Sequence, residues 1–170
     1  MEQTVAADVS FDRWYRSEHS RMLALLTVVA GDADVARDTT AEAFTRALER
    51  WERVGVMASP SAWTYRVGVN LLRRRGRRAA FEMRLVRDPP RPVPPPAVDA
   101  DLWAAVRALP VRQRTAIALR YLCDLPQREI AAVMGVAEGT VSATLTAARR
   151  RLADELRVVD EPAERQEVRP

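Results

Sequence analysis

The chain contains no lysine: all 27 basic residues are arginine, against 23 acidic ones, for a formal net charge of +4. Every side-chain cation of the Lys/Arg type is thus a planar guanidinium, suited to bidentate contact with phosphate or guanine, although a GC-rich genome accounts for the same usage. A single cysteine, Cys123, rules out an intramolecular disulfide and is expected in the core. The only histidine, His19, is expected at a helix surface. No metal-ligand spacing, glycine-rich phosphate loop or nucleophile–base pair stands out, so the sequence predicts no catalytic residue, no metal and no cofactor. No apolar run approaches the roughly 18 residues of a membrane span. The opening MEQTVAADVS lacks the basic-then-apolar pattern of a secretory signal. The expectation is a cytoplasmic protein that is not an enzyme.

What is present is concentrated in the stretch LPQREIAAVMGVAEGTVSATLTAARRRL, residues 125–152. Ile130 and Ala131 fall on a short first helix, and Gly135 falls at a turn that calls for positive φ. Val141, Leu145, Ala148 and Leu152 recur at i, i+4, i+7 and i+11, one buried stripe of a second helix. Helices crossing at about 90–120° leave little room between them, which suits the small Ala131. This is the pattern of a helix-turn-helix, whose second helix enters the DNA major groove. A plain α-hairpin is the competing reading.

Upstream, the spacing predicts three helices. The first carries Phe11, Trp14, Tyr15, Met22, Leu25, Leu26 and Val29 on one face and stops at Gly31. The second starts near Asp32 or Asp34 and turns Ala43, Phe44, Ala47, Leu48 and Trp51 inward, with Asp38 and Glu42 on its other side. The third opens with Ser59 as N-cap and Pro60 at the first helical position, and its apolar members are Trp63, Val67 and Leu71. Residues 88–101, DPPRPVPPPAVDAD, hold six prolines and cannot continue a helix. Pro89 to Pro96 would span about 25 Å as polyproline II. The fold class is therefore all-α: two small helical domains, residues 1–87 and 101–158, held apart by a proline-rich linker at 88–100 and followed by a polar tail at 159–170.

On the third helix Arg66, Asn70, Arg73, Arg74 and Arg77 share a face. Arginines can neutralise phosphates while an amide bonds a base edge. A solvated basic helix end explains the arginines equally well, and the second basic cluster at Arg149, Arg150 and Arg151 favours DNA.

These blocks together resemble the extracytoplasmic-function (ECF) sigma factors of bacterial RNA polymerase, group IV of the sigma-70 family. ARDTTAEAFTRAL at 36–48 resembles AEDLVQETFLRAW. SPSAWTYRVGVN at 59–70 resembles a stretch in which proline, tryptophan and a closing asparagine recur. Residues 125–152 resemble LSYEEIAEILGIPVGTVKSRLHRARRRL. The likeness covers most of residues 10–157. It implies an alternative sigma factor that binds core RNA polymerase, directs it to promoter DNA and assists strand opening. An anti-sigma factor is a commonly associated partner, though no residue identifies one.

By position, the resemblance places polymerase binding at Asp38 and Glu42. It places −10 contacts at Trp51, Arg66, Asn70 and the arginines 73, 74, 75, 77 and 78 (Arg73, Arg74, Arg75, Arg77, Arg78), with residues 51–59 as the loop that captures a flipped base. Extrusion costs a few kcal/mol, which the protein must offset by stacking and hydrogen bonds. The −35 contacts fall on Arg128, Glu138, Thr140, Ser142 and Ala143, and further along on Thr146, Ala147, Arg149 and Arg150. The sequence departs from the family at Ala41, often glutamine, at Arg74, often aspartate, at Ser142, often basic, and at Ala147, commonly arginine. The outward readers Ala143 and Thr146 are small and lack the bidentate fork that discriminates bases. Upstream recognition is therefore expected to lean on phosphates and DNA shape. Two alternatives stand beside this reading: a stand-alone helix-turn-helix regulator, which would need a dimer surface, and a helical protein-interaction adaptor.

Overall fold

Local signals start and stop the helices of the amino-terminal half. In the computed structural model, which describes residues 10–82 and 100–160 (side chains of 78–82 and 158–160 excepted), α1 spans Phe11–Ala30 and ends at Gly31, φ +70°. The Asp32 carboxylate accepts from the amides of Asp34 and Val35, 2.9 Å each, and so caps α2, Ala33–Leu48. A single turn, α3, covers Trp51–Val54. Then α4 runs Pro60–Glu82, with the Ser59 hydroxyl accepting from the Ala62 amide at 3.2 Å. The carboxy-terminal half comprises α5 (Ala100–Ala108), α6 (Val111–Tyr121), α7 (Gln127–Met134) and α8 (Glu138–Asp160). Among the described residues there is no strand. No single helix there is long and apolar enough to cross a membrane. The proline-rich segment up to residue 99 and the tail from 161 lie outside the described residues.

The amino-terminal half is organised by aromatics. Trp14 stacks obliquely on Trp51 at 4.7 Å and meets Phe44 edge-on at 5.4 Å, while its indole N–H donates to Ser61 Oγ at 3.2 Å. Phe11 meets Trp51 edge-on at 5.2 Å. Such pairs add about 0.5–1.5 kcal/mol each beyond area burial, and here they bind α1, α2, α3 and α4 into one unit. His19 departs from its expected surface position: it is half-buried, with its ring parallel to Phe44 at 5.9 Å. Leu48, expected inward, is 55% exposed, because α2 ends there and the chain turns away before α3.

The buried side of α4 is wider than Trp63, Val67 and Leu71 suggest. Tyr65, Val69 and Leu72 are buried as well, whereas Trp63 and Val67 are only partly so. The cause is that α4 packs on α1 and α2 and also on α7 of the carboxy-terminal half. A second seam joins α1 to α6. The two halves, expected as modules held apart, share one continuous apolar core that includes Met22, Leu25 and Leu26 from one side and Leu119, Ile130 and Leu145 from the other.

Candidate nucleic-acid interface

The helix-turn-helix forms as the periodicity predicts. Ile130, Ala131, Val133 and Met134 bury the inner face of α7. Gly135 then adopts φ +69°, ψ +43°, and both its amide and that of Val136 donate to the Ala131 carbonyl at 2.8 and 3.1 Å. These bonds satisfy a carbonyl that the end of a helix leaves without an intrahelical partner. The chain bends by 99° between α7 and α8. Val141, Leu145 and Ala148 are at most 1% exposed, and Leu152 is partly buried, so the predicted stripe pins α8 to the core.

The opposite face of α8 is open. Glu138, Thr140, Ser142, Ala143, Thr146, Ala147 and Arg150 are all exposed, as is Arg128 on α7. Arg149 is exposed but turned sideways, its Nε donating to the Tyr121 hydroxyl at 3.0 Å. Ala143, Thr146 and Arg150 occupy the centre of the open stripe, at helical spacing of three and four residues. Beside Arg149, an apolar groove of about 520 Å³ runs between α5, α6 and α8 and is walled by Trp103, Tyr121, Leu122 and Leu152. The Trp103 indole N–H is buried there without a hydrogen-bond partner among the described residues.

On α4, Arg66, Arg73, Arg74 and Arg77 are exposed and Asn70 is half-buried among them. Arg75 points elsewhere: its guanidinium donates to Thr39 Oγ1 and Glu42 Oε2, 3.1 Å each, on α2. Arg73 also has a partner, since both terminal nitrogens donate to the Met134 carbonyl at 3.3 Å. The side chain of Arg78 lies outside the described residues. Glu42 is shared between Arg75 and Arg46, the latter at 2.6 Å, whereas Asp38 is exposed. Trp51 is placed by packing, its ring held by Phe11 and Trp14. Gly55 lets the following loop close over it, because a Cβ there would sit 2.9 Å from the indole.

The family description "Sigma-70, region 4" matches residues 99–152, which include the whole helix-turn-helix core. Over 154 residues the chain is 29% identical to the ECF RNA polymerase sigma factor SigM of Mycobacterium tuberculosis, covering 88% of this chain and 79% of that one. It is 30% identical over 163 residues to the ECF RNA polymerase sigma factor SigE of Mycolicibacterium smegmatis, covering 89% and 63%. The chain belongs to the ECF sigma factors. The fold likewise superposes on the sigma factor RpoE of Bartonella quintana, solved in complex with the anti-sigma factor NepR. That match has a TM-score of 0.74 at 22% identity and covers 88% of this chain and 98% of that one.

Three features of this sigma factor had no signal in its sequence. The Tyr65 hydroxyl makes a short hydrogen bond to the Glu18 carboxylate, 47 residues away, with the Cys123 thiol nearby. Burial, followed by the nearby Cys123 and Glu18, pushes the Tyr65 hydroxyl well above its ordinary value, and burial pushes the Cys123 thiol up to about 12. Arg114, desolvated at the α1–α6 seam, is pushed down and donates to the Val29 carbonyl at 3.3 Å. The third is the α4–α7 contact itself, built on Arg73 and on Ser59, whose hydroxyl is 3.0 Å from Glu129 Oε2.

Proposed function

We propose a division of labour within this alternative sigma factor. Residues 1–87 dock on core RNA polymerase and hold the −10 element, residues 101–158 hold the −35 element, and the 88–100 segment links them. The exposed Asp38 and the partly exposed Glu42 supply the acidic docking face on α2. Arg66, Asn70, Arg74 and Arg77 form one surface of α4 that can follow a melted strand, the arginines on phosphates and the amide on a base edge. Trp51, anchored in the aromatic cluster, gives the 51–59 loop a rigid base. Arg75 serves instead to hold α4 on α2.

The observation that best supports the reading is the 99° bend that leaves one face of α8 buried and the other entirely open. Its central readers are small: Ala143 and Thr146 can meet thymine methyl groups, and Arg150 a phosphate. Specificity upstream then comes from DNA shape and phosphate spacing. Chemistry remains with the polymerase, and the sigma factor acts in the cytoplasm by binding alone. An anti-sigma factor is the expected regulator, as the sigma factor RpoE of Bartonella quintana was solved in complex with the anti-sigma factor NepR.

Run-off transcription with purified bacterial core polymerase, this protein and a library of genomic promoter fragments tests the reading. Discrete transcripts that require both proteins are expected. DNA binding by the chain alone, with no transcripts, would overturn it in favour of a stand-alone regulator.

A further inference from the structure

The apolar groove beside Arg149 takes no part in the contacts assigned to promoter or polymerase. Its walls are Trp103 and Val106 of α5, Ile117 and Leu122 of α6 and Leu152 of α8, with Val28 of α1. Within this lining Tyr121 and Leu122 remain 60% and 40% exposed, so apolar surface faces water where three helices meet. Single exposed apolar side chains are ordinary, whereas a concave cluster of them marks a binding site. The Trp103 indole N–H adds a desolvated donor with no acceptor among the described residues.

Besides Trp103, the only polar side chains in the lining are Tyr121 and Arg149, and they are bonded to each other. Arg149 Nε donates to the Tyr121 hydroxyl at 3.0 Å, which fixes the guanidinium beside the groove. Its two terminal nitrogens have no hydrogen-bond partner among the described residues. A guanidinium so held presents a fork that matches one carboxylate.

Size and polarity narrow the occupant further. The groove encloses about 520 Å³, within the roughly 300–1,000 Å³ of sites that take small organic molecules. An α-helix about 10 Å across would use that volume in about 7 Å of its length, little more than one turn. An extended peptide would bring a backbone donor and acceptor per residue into a lining with almost nothing to pair them. An unbranched alkyl chain carries no such groups. About 17 groups of water or methylene size, at roughly 30 Å³ each, fill the space.

We propose that this groove binds a long-chain carboxylate of the fatty-acid class. The alkyl chain lies between α5, α6 and α8, and the carboxylate accepts from the terminal nitrogens of Arg149. The apolar walls supply the affinity, and the single guanidinium fixes which end of the ligand faces outward. Binding needs neither polymerase nor promoter.

Titration calorimetry of the full chain with octanoate, decanoate and dodecanoate, each below its micelle concentration, provides the test. Burying one methylene tightens binding about fourfold. In a groove open on one side, each step of two methylenes is therefore expected to give about four- to sixteenfold. Decanol, which keeps the chain but lacks the charge, should bind about tenfold more weakly than decanoate. Arg149→Gln should weaken decanoate about tenfold and leave decanol unchanged. Dodecanoate brominated at its terminal carbon should quench tryptophan emission. Trp103→Phe should remove most of that quenching, because Trp14, Trp51 and Trp63 do not line the groove. Affinity independent of chain length would mean adsorption to the arginine-rich surface and would overturn the assignment. So would decanoate binding unmoved by Arg149→Gln, or quenching unmoved by Trp103→Phe. Absence of both heat and quenching with dodecanoate would overturn it as well, leaving the groove to a protein partner.

Discussion

Replacing Gly135 by alanine and Gly76 by alanine should have opposite effects, although both sites are equally open. A Cβ added at either position meets nothing within 4 Å, so sterics contribute nothing and backbone conformation alone decides. Gly135 sits at φ +69°, where an L-residue costs about 1–2 kcal/mol. Part of that is offset by the smaller entropy of the unfolded alanine chain, leaving about 1 kcal/mol of destabilisation. Gly76 lies inside α4, where alanine should stabilise by about 0.5–1 kcal/mol. Because the halves share one core, a single transition is expected in calorimetry, and 1 kcal/mol then moves Tm by about 2–4 °C. A carboxy-terminal half melting alone would shift by about 4–8 °C instead. Gly135→Asn should lie between wild type and Gly135→Ala, since asparagine tolerates the left-handed region. A Gly135→Ala protein as stable as wild type would refute the claim that the helix-turn-helix turn depends on positive φ.

Other outcomes follow from the same geometry. Asn70→Ala should lower promoter opening, read by permanganate footprinting, while core polymerase affinity is unchanged; lost polymerase binding would show that α4 has been misassigned. Arg150→Ala should reduce the slope of log affinity against log salt by about one for promoter duplex, as expected for one phosphate contact. Arg149→Ala should change it less, because its Nε is held by Tyr121. The raised thiol of Cys123 makes stability pH-dependent. Its contribution is complete below the unfolded value near 8.5 and is lost as pH rises through about 12, with Tyr65 adding in the same direction. Urea midpoints should therefore fall from pH 8 to pH 10, and less steeply in Cys123→Ala. A flat or rising midpoint would contradict the burial of both groups.

The elements whose logic is local were legible in the residues. The Val141–Leu145–Ala148 stripe, the glycine at 135, the Ser59 cap and the Asp32 start each depend on neighbours within one or two helical turns, and each appears where the spacing puts it. The open face of α8 follows from the same periodicity, since whatever is opposite a buried stripe faces out. What the tertiary structure decided are the pairings between distant segments. Arg75 shares a run with Arg73 and Arg74, yet two helical steps, about 200° from Arg73, send it to Glu42 on α2 while Arg73 meets Met134, 61 residues away. Leu48 lost its expected burial to the end of a helix, and His19 gained burial from Phe44 on the facing one. The meeting of α4 with α7 has no signature in either segment, because each helix reads as amphipathic whatever covers it. Local spacing specifies which face of a helix must be covered. Only long-range packing, with the desolvation of Tyr65, Cys123 and Arg114 that accompanies it, specifies what covers it.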